Sequence, residues 1–360
     1  MKLPRPRKII AEKYVAGLSL FKSKRSPIKL SANESALGPS PKAVKSYNSI
    51  GKGFVRYPDS DGTFFRKVLG KKFRLDSNRI ILGSGSDQIF ELVCKLFLQK
   101  GDEVVVTQYS FIIYRIYSRM CGATVKLAKE ENFTPSVQSI LDCVNRKTKI
   151  VFLANPNNPT GTYLDRSEML ELRRRLRSDI LLVVDDAYCE FIEDPNFASG
   201  IELFSKSKNV LITRTFSKIY GLAGLRIGWG YSSKAIIQKL YEIKPPFNVS
   251  RPALFAATQA VQDTSWLNKA IKHNNYWSEK IFEVIDEIGI ATNKTNVNFF
   301  LLNFDFVDKS SSQVFNKLAN SGILVRQMNV YGIKNSLRVT IGNSNENKKF
   351  ITTLRKIFNV

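Results

Sequence analysis

Residues 213–226 read TRTFSKIYGLAGLR, and within this stretch Lys218 and Arg226 stand eight positions apart. Two hydroxyl residues, Thr215 and Ser217, precede the lysine, and glycines follow it. Small hydroxyl side chains with an arginine suit a bound phosphate group, and glycines let the backbone approach a ligand closely. Other cations nearby lower the pKa of a lysine, which frees its amine to react. The stretch therefore predicts a reactive lysine beside a phosphate site.

The sequence around this stretch, from about residue 75 to residue 231, alternates short β-branched runs with helical patterns. Near-continuous apolar runs are typical of parallel strands that helices cover on both faces. The predicted strands are 80–82, 104–107, 124–127, 150–154, 181–185, 210–213 and 225–230. We expect an α/β domain with a mostly parallel, seven-stranded sheet whose ligands lie at the C-terminal ends of the strands.

The chain beyond about residue 250 has a different pattern. It predicts a long helix, three strands and a final helix, at 266–288, 297–304, 323–325, 337–341 and 346–358. Helices and strands that are grouped in this way indicate a smaller α+β domain. We therefore divide the chain into an N-terminal arm, a large domain that binds the ligand and a small C-terminal domain, over residues 1–40, 41–250 and 251–360.

The composition excludes several classes of protein. The net charge is +24, but the basic residues are spread along the chain without a nucleic-acid-binding motif, so we predict a solvated basic surface and no nucleic-acid partner. Four cysteines without a CxxC pair, and a single histidine, predict reduced thiols and no metal site. The apolar runs are shorter than the ~20 residues that span a bilayer, and the N-terminus has no apolar signal. We expect a cytoplasmic protein without a membrane partner.

Three more residues carry chemistry that complements the lysine. Asp185 ends an apolar run, Tyr188 follows three residues later, and Asn158 lies in the turn-like sequence NPNNPTG. Taken singly, Asp185 is more commonly a turn residue at the end of a strand, and Asn158 is simply a turn residue. Together with Lys218 they meet the needs of pyridoxal phosphate, which are an amine for a Schiff base, an anion that keeps the ring nitrogen protonated, and donors to the phenolic oxygen. We predict this cofactor, with Lys218, Asp185 and Tyr188 as catalytic residues.

A further candidate contact for the cofactor phosphate is the strand-to-helix turn with the sequence GSGSD. Ser86 and Asp87 open the predicted helix, and the free backbone N–H groups and helix dipole at that end favour an anion. Tyr109 follows a predicted strand and is a candidate for stacking on the pyridine ring. Asp186, next to Asp185, is expected to face away from the cofactor because side chains alternate along a strand.

Nine short motifs occur in order along the chain. They are KLSANE at 29–34, GPSP at 38–41, RYP at 56–58, GSGSD at 83–87, NNPTG at 157–161, DDAY at 185–188, TFSK at 215–218, LAGLRIG at 222–228 and LRVTIG at 337–342. With them the chain resembles the fold-type I pyridoxal-phosphate-dependent aminotransferases, and most closely the histidinol-phosphate aminotransferases, over about residues 28–355. The resemblance implies transamination between L-histidinol phosphate and 2-oxoglutarate in histidine biosynthesis. Transamination of aromatic amino acids and decarboxylation of threonine phosphate stay open as alternatives.

The resemblance also implies roles for residues outside the lysine stretch. Tyr57 is expected to reach the cofactor phosphate of the neighbouring subunit, which implies an obligate homodimer. Arg338 is expected to bind the anionic group of the substrate with help from Arg326, and Asn33 lies in the segment that lines the substrate pocket. An arginine fork accepts a phosphate or a carboxylate, as small anionic substrates require. The chain departs from the family at Asp186, where the usual residue is Glu.

Overall fold

The computed structural model describes Ile9, Tyr14 and residues 27–360. Most of the predicted N-terminal arm, residues 1–40, therefore lies outside the described residues. Within them the α-helices run over Pro41–Asn48, Thr63–Phe73, Ser86–Phe97, Ile113–Met120, Val137–Asp142, Arg166–Arg175, Gly200–Phe204, Lys234–Ile243, Arg251–Gln262, Thr264–Ile288, Ser311–Asn320 and Ser344–Phe358.

Local sequence explains where several of these helices begin. Asp165 and Glu168 form a capping box, in which each side chain bonds to the backbone N–H of the other residue. Ser40 and Ser250 each accept a hydrogen bond from a backbone N–H in the first turn, and each is followed by a proline in that turn. These caps satisfy donors that a helix N-terminus otherwise leaves unpaired.

The large domain is built on a seven-stranded sheet. In spatial order its strands are Ile80–Gly83, Gly228–Tyr231, Val210–Thr215, Leu181–Asp185, Thr148–Ala154, Glu103–Thr107 and Thr124–Ala128. The strand Gly228–Tyr231 runs antiparallel to both of its neighbours, and the other pairs are parallel. The mostly parallel, seven-stranded α/β architecture predicted from the sequence is confirmed.

The core of the large domain lies on both faces of this sheet. Val105, Val151 and Leu182 pack against helices on one face, while Val104 and Val183 pack on the other. Neighbouring residues of a strand point to opposite faces, so strands covered on both sides must be apolar throughout. This requirement is why the apolar runs in the sequence identified the strands.

One predicted strand begins later than expected. The run 225–230 was expected to be extended throughout, but the observed strand is Gly228–Tyr231. The preceding residues Ala223–Leu225 form a 3-10 turn, and Arg226 has the left-handed backbone conformation, with φ of 51°. This turn directs the Arg226 side chain toward the N-terminus of helix Ser86–Phe97, where it meets Asp87.

The small domain has an antiparallel sheet of four strands, in the order Ala291–Thr292, Phe299–Asn303, Ser336–Thr340 and Arg326–Gln327. The helices Thr264–Ile288, Ser311–Asn320 and Ser344–Phe358 cover it around a second apolar core. The predicted strand 323–325 forms a separate parallel pair, in which Ile323–Leu324 lies beside Ile28–Lys29.

Two contacts bear on the domain boundaries predicted at residues 40 and 250. Strand Ile28–Lys29, assigned to the arm, pairs with a small-domain strand. Helix Arg251–Gln262, assigned to the small domain, packs against helix Pro41–Asn48 of the large domain. The division of the chain therefore stays a prediction, and these two elements connect its parts.

Two other kinds of feature are absent from Ile9, Tyr14 and residues 27–360. No helix in that part of the chain has the length and apolar character needed to cross a membrane. The same residues include no group of three or more His, Cys, Asp or Glu side chains arranged to hold a metal ion.

Candidate active site

A cavity of about 300 Å³ opens at the C-terminal ends of the large-domain strands, where the small domain faces them. It brings together most of the residues selected from the sequence. Those that line it are Asn33, Ser86, Asp87, Asn158, Asp185, Tyr188, Thr215, Ser217, Lys218, Arg226, Arg326 and Arg338.

Asp185 is the buried carboxylate of this cavity. It is the last residue of strand Leu181–Asp185 and is 6% exposed. It accepts hydrogen bonds from the hydroxyl groups of Tyr114, at 2.6 Å, and Thr213, at 3.3 Å. Burial raises the pKa of Asp185 to about 6, although the Tyr114 hydrogen bond opposes the rise. Neither donor is charged and no residue within 27–360 forms an ion pair with Asp185, so its negative charge is available to a cationic ligand.

Lys218 enters the same cavity just beyond strand Val210–Thr215. Its Nζ lies 3.5 Å from the carbonyl oxygen of Ala32 and 5.5 Å from the centre of the Tyr188 ring. Burial, with the positive charge of Arg338, lowers the pKa of Lys218 to about 8. Near neutral pH a useful fraction of this lysine is therefore the neutral, nucleophilic amine.

One end of the cavity has the shape and charge of a phosphate site. The guanidinium of Arg226 donates to Ser217 Oγ at 3.2 Å and pairs with Asp87 at 3.2 Å. Helix Ser86–Phe97 begins there, so its free N–H groups face the same space. A Cβ on Gly228 would come within 2.5 Å of the Ser86 nitrogen, which leaves no room for a side chain. The glycine-lined turn, hydroxyl groups and arginine together suit a bound phosphate.

The opposite end of the cavity carries two buried arginines from the small domain. Arg326 and Arg338 lie directly opposite each other on paired strands and are 7% and 5% exposed. Arg338 donates to the Asn158 side chain and, at 3.0 Å, to the Ser31 carbonyl oxygen. Its Nε has no hydrogen-bond partner within the described part of the chain. Two cations that face one cavity create a site for a small anion.

Tyr188 and Asn33 stand between these two ends. The Tyr188 hydroxyl accepts a hydrogen bond of 3.0 Å from the Asn33 amide. Burial raises the pKa of Tyr188 to about 12, so the phenol keeps its proton at neutral pH. Tyr188 is therefore a hydrogen-bond donor at the side of the cavity.

The structure corrects the proposed position of Tyr109. This residue does not line the cavity, and Phe111 stands in the wall instead. The Tyr109 backbone N–H donates to the Glu130 carboxylate at 3.0 Å, and its ring packs on Phe133 at a centroid distance of 5.6 Å. The turn that follows strand Glu103–Thr107 thus directs Tyr109 away and Phe111 inward. Phe111, and not Tyr109, is therefore the aromatic residue that this turn places in the cavity wall.

Two tyrosines in the cavity wall were not predicted from the sequence. Tyr114 lies in helix Ile113–Met120 and is fully buried, and its only signal in the sequence was its place on the buried face of that helix. Tyr14 lines the cavity as well, 6.5 Å from the Phe111 ring, and gave no signal in the sequence.

Tyr57 lies outside the cavity of its own chain. It is 79% exposed and stacks on Phe247, with ring centroids 4.5 Å apart. It borders a separate cavity whose apolar wall includes Phe64 and Phe255.

A lysine that shares a cavity with a buried carboxylate, which forms no ion pair within residues 27–360, at the C-terminal edge of a mostly parallel sheet, is typical of a fold-type I pyridoxal-phosphate-dependent enzyme. The model of the family "Aminotransferase class I and II" matches residues 25–354, and the chain belongs to this family. The resemblance inferred from the motifs is confirmed, and the protein is an aminotransferase.

Among curated relatives, a histidinol-phosphate aminotransferase of Pelagibacter ubique is 47% identical over the full length of both chains. Another of Paramagnetospirillum magneticum is 40% identical over 98% of each chain. Among solved structures, the histidinol-phosphate aminotransferase of Sinorhizobium meliloti in complex with pyridoxal phosphate has a TM-score of 0.86 at 24% identity, covering 92% of this chain and 91% of that one. The L-threonine-O-3-phosphate decarboxylase of Porphyromonas gingivalis has a TM-score of 0.79 at 22% identity, covering 92% and 100%. At these identities the structures show the fold alone.

Proposed function

We propose that this protein transfers an amino group between L-histidinol phosphate and 2-oxoglutarate, giving imidazole acetol phosphate and glutamate, as a step of histidine biosynthesis. The observation that carries the reaction type is Asp185, a buried carboxylate that forms no ion pair within residues 27–360, in the same cavity as Lys218. The names of the relatives support the substrate. We propose a cytoplasmic location, in which the free thiols of Cys94 and Cys189 stay reduced.

Pyridoxal phosphate fits the charges and the space of this cavity. When bound, it supplies an aldehyde that condenses with amines and a protonated ring that accepts electrons. Asp185 would hold the proton on the ring nitrogen, and Tyr188 would donate to the phenolic oxygen. Asn158 is the second candidate donor to that oxygen. Lys218 would bind the cofactor and then move a proton at the reacting carbon of the substrate.

The phosphate end of the cavity would hold the cofactor phosphate in the same subunit. Ser217 and Arg226 supply a hydroxyl and a guanidinium there, and Thr215 accepts from the Ser217 N–H at 3.1 Å. Ser86 and Asp87 would contribute through the N-terminus of their helix. The carboxylate of Asp87 pairs with Arg226, which keeps the guanidinium in place.

The two arginines at the other end would bind the substrate anion. Histidinol phosphate and glutamate share an amine but carry a phosphate or a carboxylate beside it. One guanidinium fork, Arg338, accepts either anion with two hydrogen bonds. Arg326 lies opposite it on the neighbouring strand, and a dianionic phosphate gains more from a second cation than a carboxylate does.

A comparison of substrates tests this specificity. Purified protein loaded with pyridoxal phosphate is given histidinol phosphate, phenylalanine, tyrosine or threonine phosphate, with 2-oxoglutarate as acceptor. We expect the highest kcat/KM for histidinol phosphate. A higher value for phenylalanine or tyrosine would make the protein an aromatic aminotransferase, and release of CO2 from threonine phosphate would make it a decarboxylase.

Changes to the two arginines should affect the half-reactions differently. Arg338→Lys keeps the positive charge but loses the pair of hydrogen bonds that a guanidinium can donate. The activation free energy of both half-reactions should therefore rise by about 1.5–3 kcal/mol. Arg326→Ala should lower the single-turnover rate with histidinol phosphate more than the rate with glutamate. Single-turnover rates with each amino donor measure this. Equal losses for both donors in Arg326→Ala would contradict the assignment of Arg326 to the phosphate.

We further propose a homodimer in which Tyr57 reaches the cofactor phosphate of the partner subunit. The segment around it exposes large apolar side chains, with Phe54, Val55 and Phe64 each at least 70% exposed. Several large apolar side chains exposed in one segment favour an interaction site. Tyr57 also stands apart from the cavity of its own chain, as a residue that serves a partner must.

Mixed dimers test this arrangement. Lys218→Ala and Tyr57→Ala proteins are each expected to have little activity. After subunit exchange, one site of each mixed dimer combines an intact Lys218 with an intact Tyr57, so activity should reappear. Exchange shown by mass spectrometry without any recovery of activity would contradict a role for Tyr57 across the interface.

A further inference from the structure

Asn33, in the N-terminal part of the chain, contacts both the large domain and the small domain at the cavity. It is 1% exposed and has a left-handed backbone, with φ of 55°. Its side chain contacts Tyr188 of the large domain and Thr340 of the small domain. Its carbonyl oxygen accepts from the Asn298 amide at 3.1 Å. The residue is therefore held by its backbone and by both ends of its side chain.

The hydrogen bonds to Thr340 fix the direction of the Asn33 amide. The Asn33 backbone N–H donates to Thr340 Oγ1 at 2.9 Å, so this hydroxyl acts as an acceptor there. The proton of the same hydroxyl then goes to Asn33 Oδ1, 3.2 Å away. Because Oδ1 is the acceptor, the NH2 group of the amide must face Tyr188.

This direction determines what the Tyr188 hydroxyl can do. Its oxygen accepts from Asn33 Nδ2 at 3.0 Å. A phenol has one proton to donate, and no group within residues 27–360 accepts it from Tyr188. Tyr188 lines the cavity, so its O–H is left to donate to whatever occupies that space.

We propose that Asn33 is a positioning residue that aims the Tyr188 hydroxyl at the phenolic oxygen of the cofactor and ties this donor to the small-domain strand Ser336–Thr340. This role differs from the substrate contact expected from the family resemblance. It rests on the proposed function, because it needs pyridoxal phosphate in the cavity. The same strand carries Arg338, two residues before Thr340 and therefore on the same face. One strand thus presents the arginine for the substrate anion and holds the group that orients Tyr188.

The pH titration of the bound cofactor tests the proposal without relying on turnover. Its visible absorbance changes when it loses the proton next to the phenolic oxygen. A hydrogen bond donated to that oxygen stabilises the form without the proton. Loss of the donor should therefore raise the pH at the midpoint of this absorbance change, which is called the midpoint below. Tyr188→Phe gives the full effect, which we expect to be about one pH unit, a tenfold change in proton affinity.

Variants of Asn33 separate its amide from its unusual backbone. Asn33→Gly keeps the left-handed conformation but removes the amide, so the midpoint should rise by part of the Tyr188→Phe shift. Asn33→Asp replaces the donor by an acceptor that takes the Tyr188 proton, so the rise should equal or exceed that of Tyr188→Phe. The double variant Asn33→Gly with Tyr188→Phe should match Tyr188→Phe alone.

Thr340 tests the connection to the small domain. Thr340→Val removes the hydroxyl that directs the amide and should raise the midpoint, whereas Thr340→Ser retains the hydroxyl and should keep the wild-type midpoint. A wild-type midpoint in Thr340→Val would contradict the link between Tyr188 and the small-domain strand. Wild-type midpoints in the Asn33 variants would contradict the proposal as a whole. A wild-type protein without visible absorbance would instead contradict the proposed function together with this inference.

Discussion

The two faces of the large sheet at the end of strand Leu181–Asp185 carry adjacent aspartates in contrasting surroundings. On the cavity face, Asp185 accepts hydrogen bonds from two neutral hydroxyl groups, those of Tyr114 and Thr213. On the other face, Asp186 lies 3.8 Å from the guanidinium of Arg214 and accepts from a backbone N–H. Both aspartates are buried, so burial alone does not separate a functional carboxylate from a structural one.

The carboxylates on the second face share one internal cation. Arg214 lies 3.6 Å from Glu190 as well as 3.8 Å from Asp186; Arg214 and Asp186 are buried and the Glu190 side chain is 10% exposed. Burial raises the pKa of Asp186 to about 7, although the charge of Arg214 opposes the rise. Burial also raises the pKa of Glu190, and Arg214 opposes that rise as well. The Arg214 guanidinium also stacks on the ring of Phe73, 5.0 Å from its centre. On this face the two carboxylates therefore have an internal cation as their neighbour.

The difference distinguishes the face that borders the cavity from the opposite face. Asp185 has hydrogen bonds that orient it but no ion pair within residues 27–360, and it lines the open cavity. The missing positive charge is the one that a protonated pyridine ring would supply. The two aspartates should therefore respond in opposite ways to substitution.

The largest effect is expected for Asp185→Asn, which removes the charge but keeps the shape. Turnover should fall by about 10²–10³-fold, because a preorganised charge at the reacting centre is lost. The cofactor should be retained, since its phosphate contacts and Lys218 are intact. Single-turnover kinetics and the visible spectrum measure the two properties. Turnover within a few-fold of wild type would remove the distinction between the two faces.

Arg214→Met should have the reverse effect, on stability and not on chemistry. It leaves Asp186 and Glu190 buried without their cation, which should lower the free energy of unfolding by about 3 kcal/mol at pH 8. The folded fraction should keep the wild-type pH midpoint of the bound cofactor. Urea unfolding of the apoprotein measures the first quantity, and a shifted midpoint with unchanged stability would contradict the structural role.

The free energy of unfolding of the apoprotein should also show how much the buried charge of Asp185 destabilises the fold. Its pKa is raised in the folded state, to about 6, so the carboxyl contributes stability at low pH that is lost as the pH rises through this value. Asp185→Asn should therefore be the more stable protein well above pH 6, by on the order of 3 kcal/mol. The two proteins should converge toward pH 4. Urea midpoints across this range measure the difference, and a pH-independent difference would be inconsistent with the raised pKa.

The smallest effect is expected for Asp186→Asn. Arg214 keeps Glu190 as its partner, and the asparagine oxygen can still accept the Gly200 N–H that Asp186 binds at 2.8 Å. The free energy of unfolding should change by no more than about 1 kcal/mol, and turnover should stay at the wild-type value. A large loss of turnover would mean that the second face takes part in the chemistry.

The sequence predicted those residues of the site that lie at the ends of strands. Asp185, Lys218 and the glycine-rich turn before Ser86 each follow an apolar run, and the ends of parallel strands meet at one edge of the sheet. Alternation along the strand also predicted that Asp186 faces away from Asp185, and its contacts with Arg214 lie on that other face.

The rest of the site depends on contacts between distant parts of the chain. Tyr114 bonds to Asp185 across 71 positions, and Asn33 bonds to Thr340 across 307. No local pattern specifies such partners. The choice of Phe111 over Tyr109 depends on the course of a short turn, which residue type alone does not determine.

The most direct test of the account is the identity of the lysine that carries the cofactor. Protein loaded with pyridoxal phosphate is reduced with borohydride, digested, and mapped by mass spectrometry, with Lys206→Ala as a control for an exposed lysine in the same part of the chain. We predict that the label is found on Lys218 in the wild-type and control proteins and is absent from Lys218→Ala. Label on another lysine, or no label in a protein that is folded and supplied with cofactor, would contradict the account.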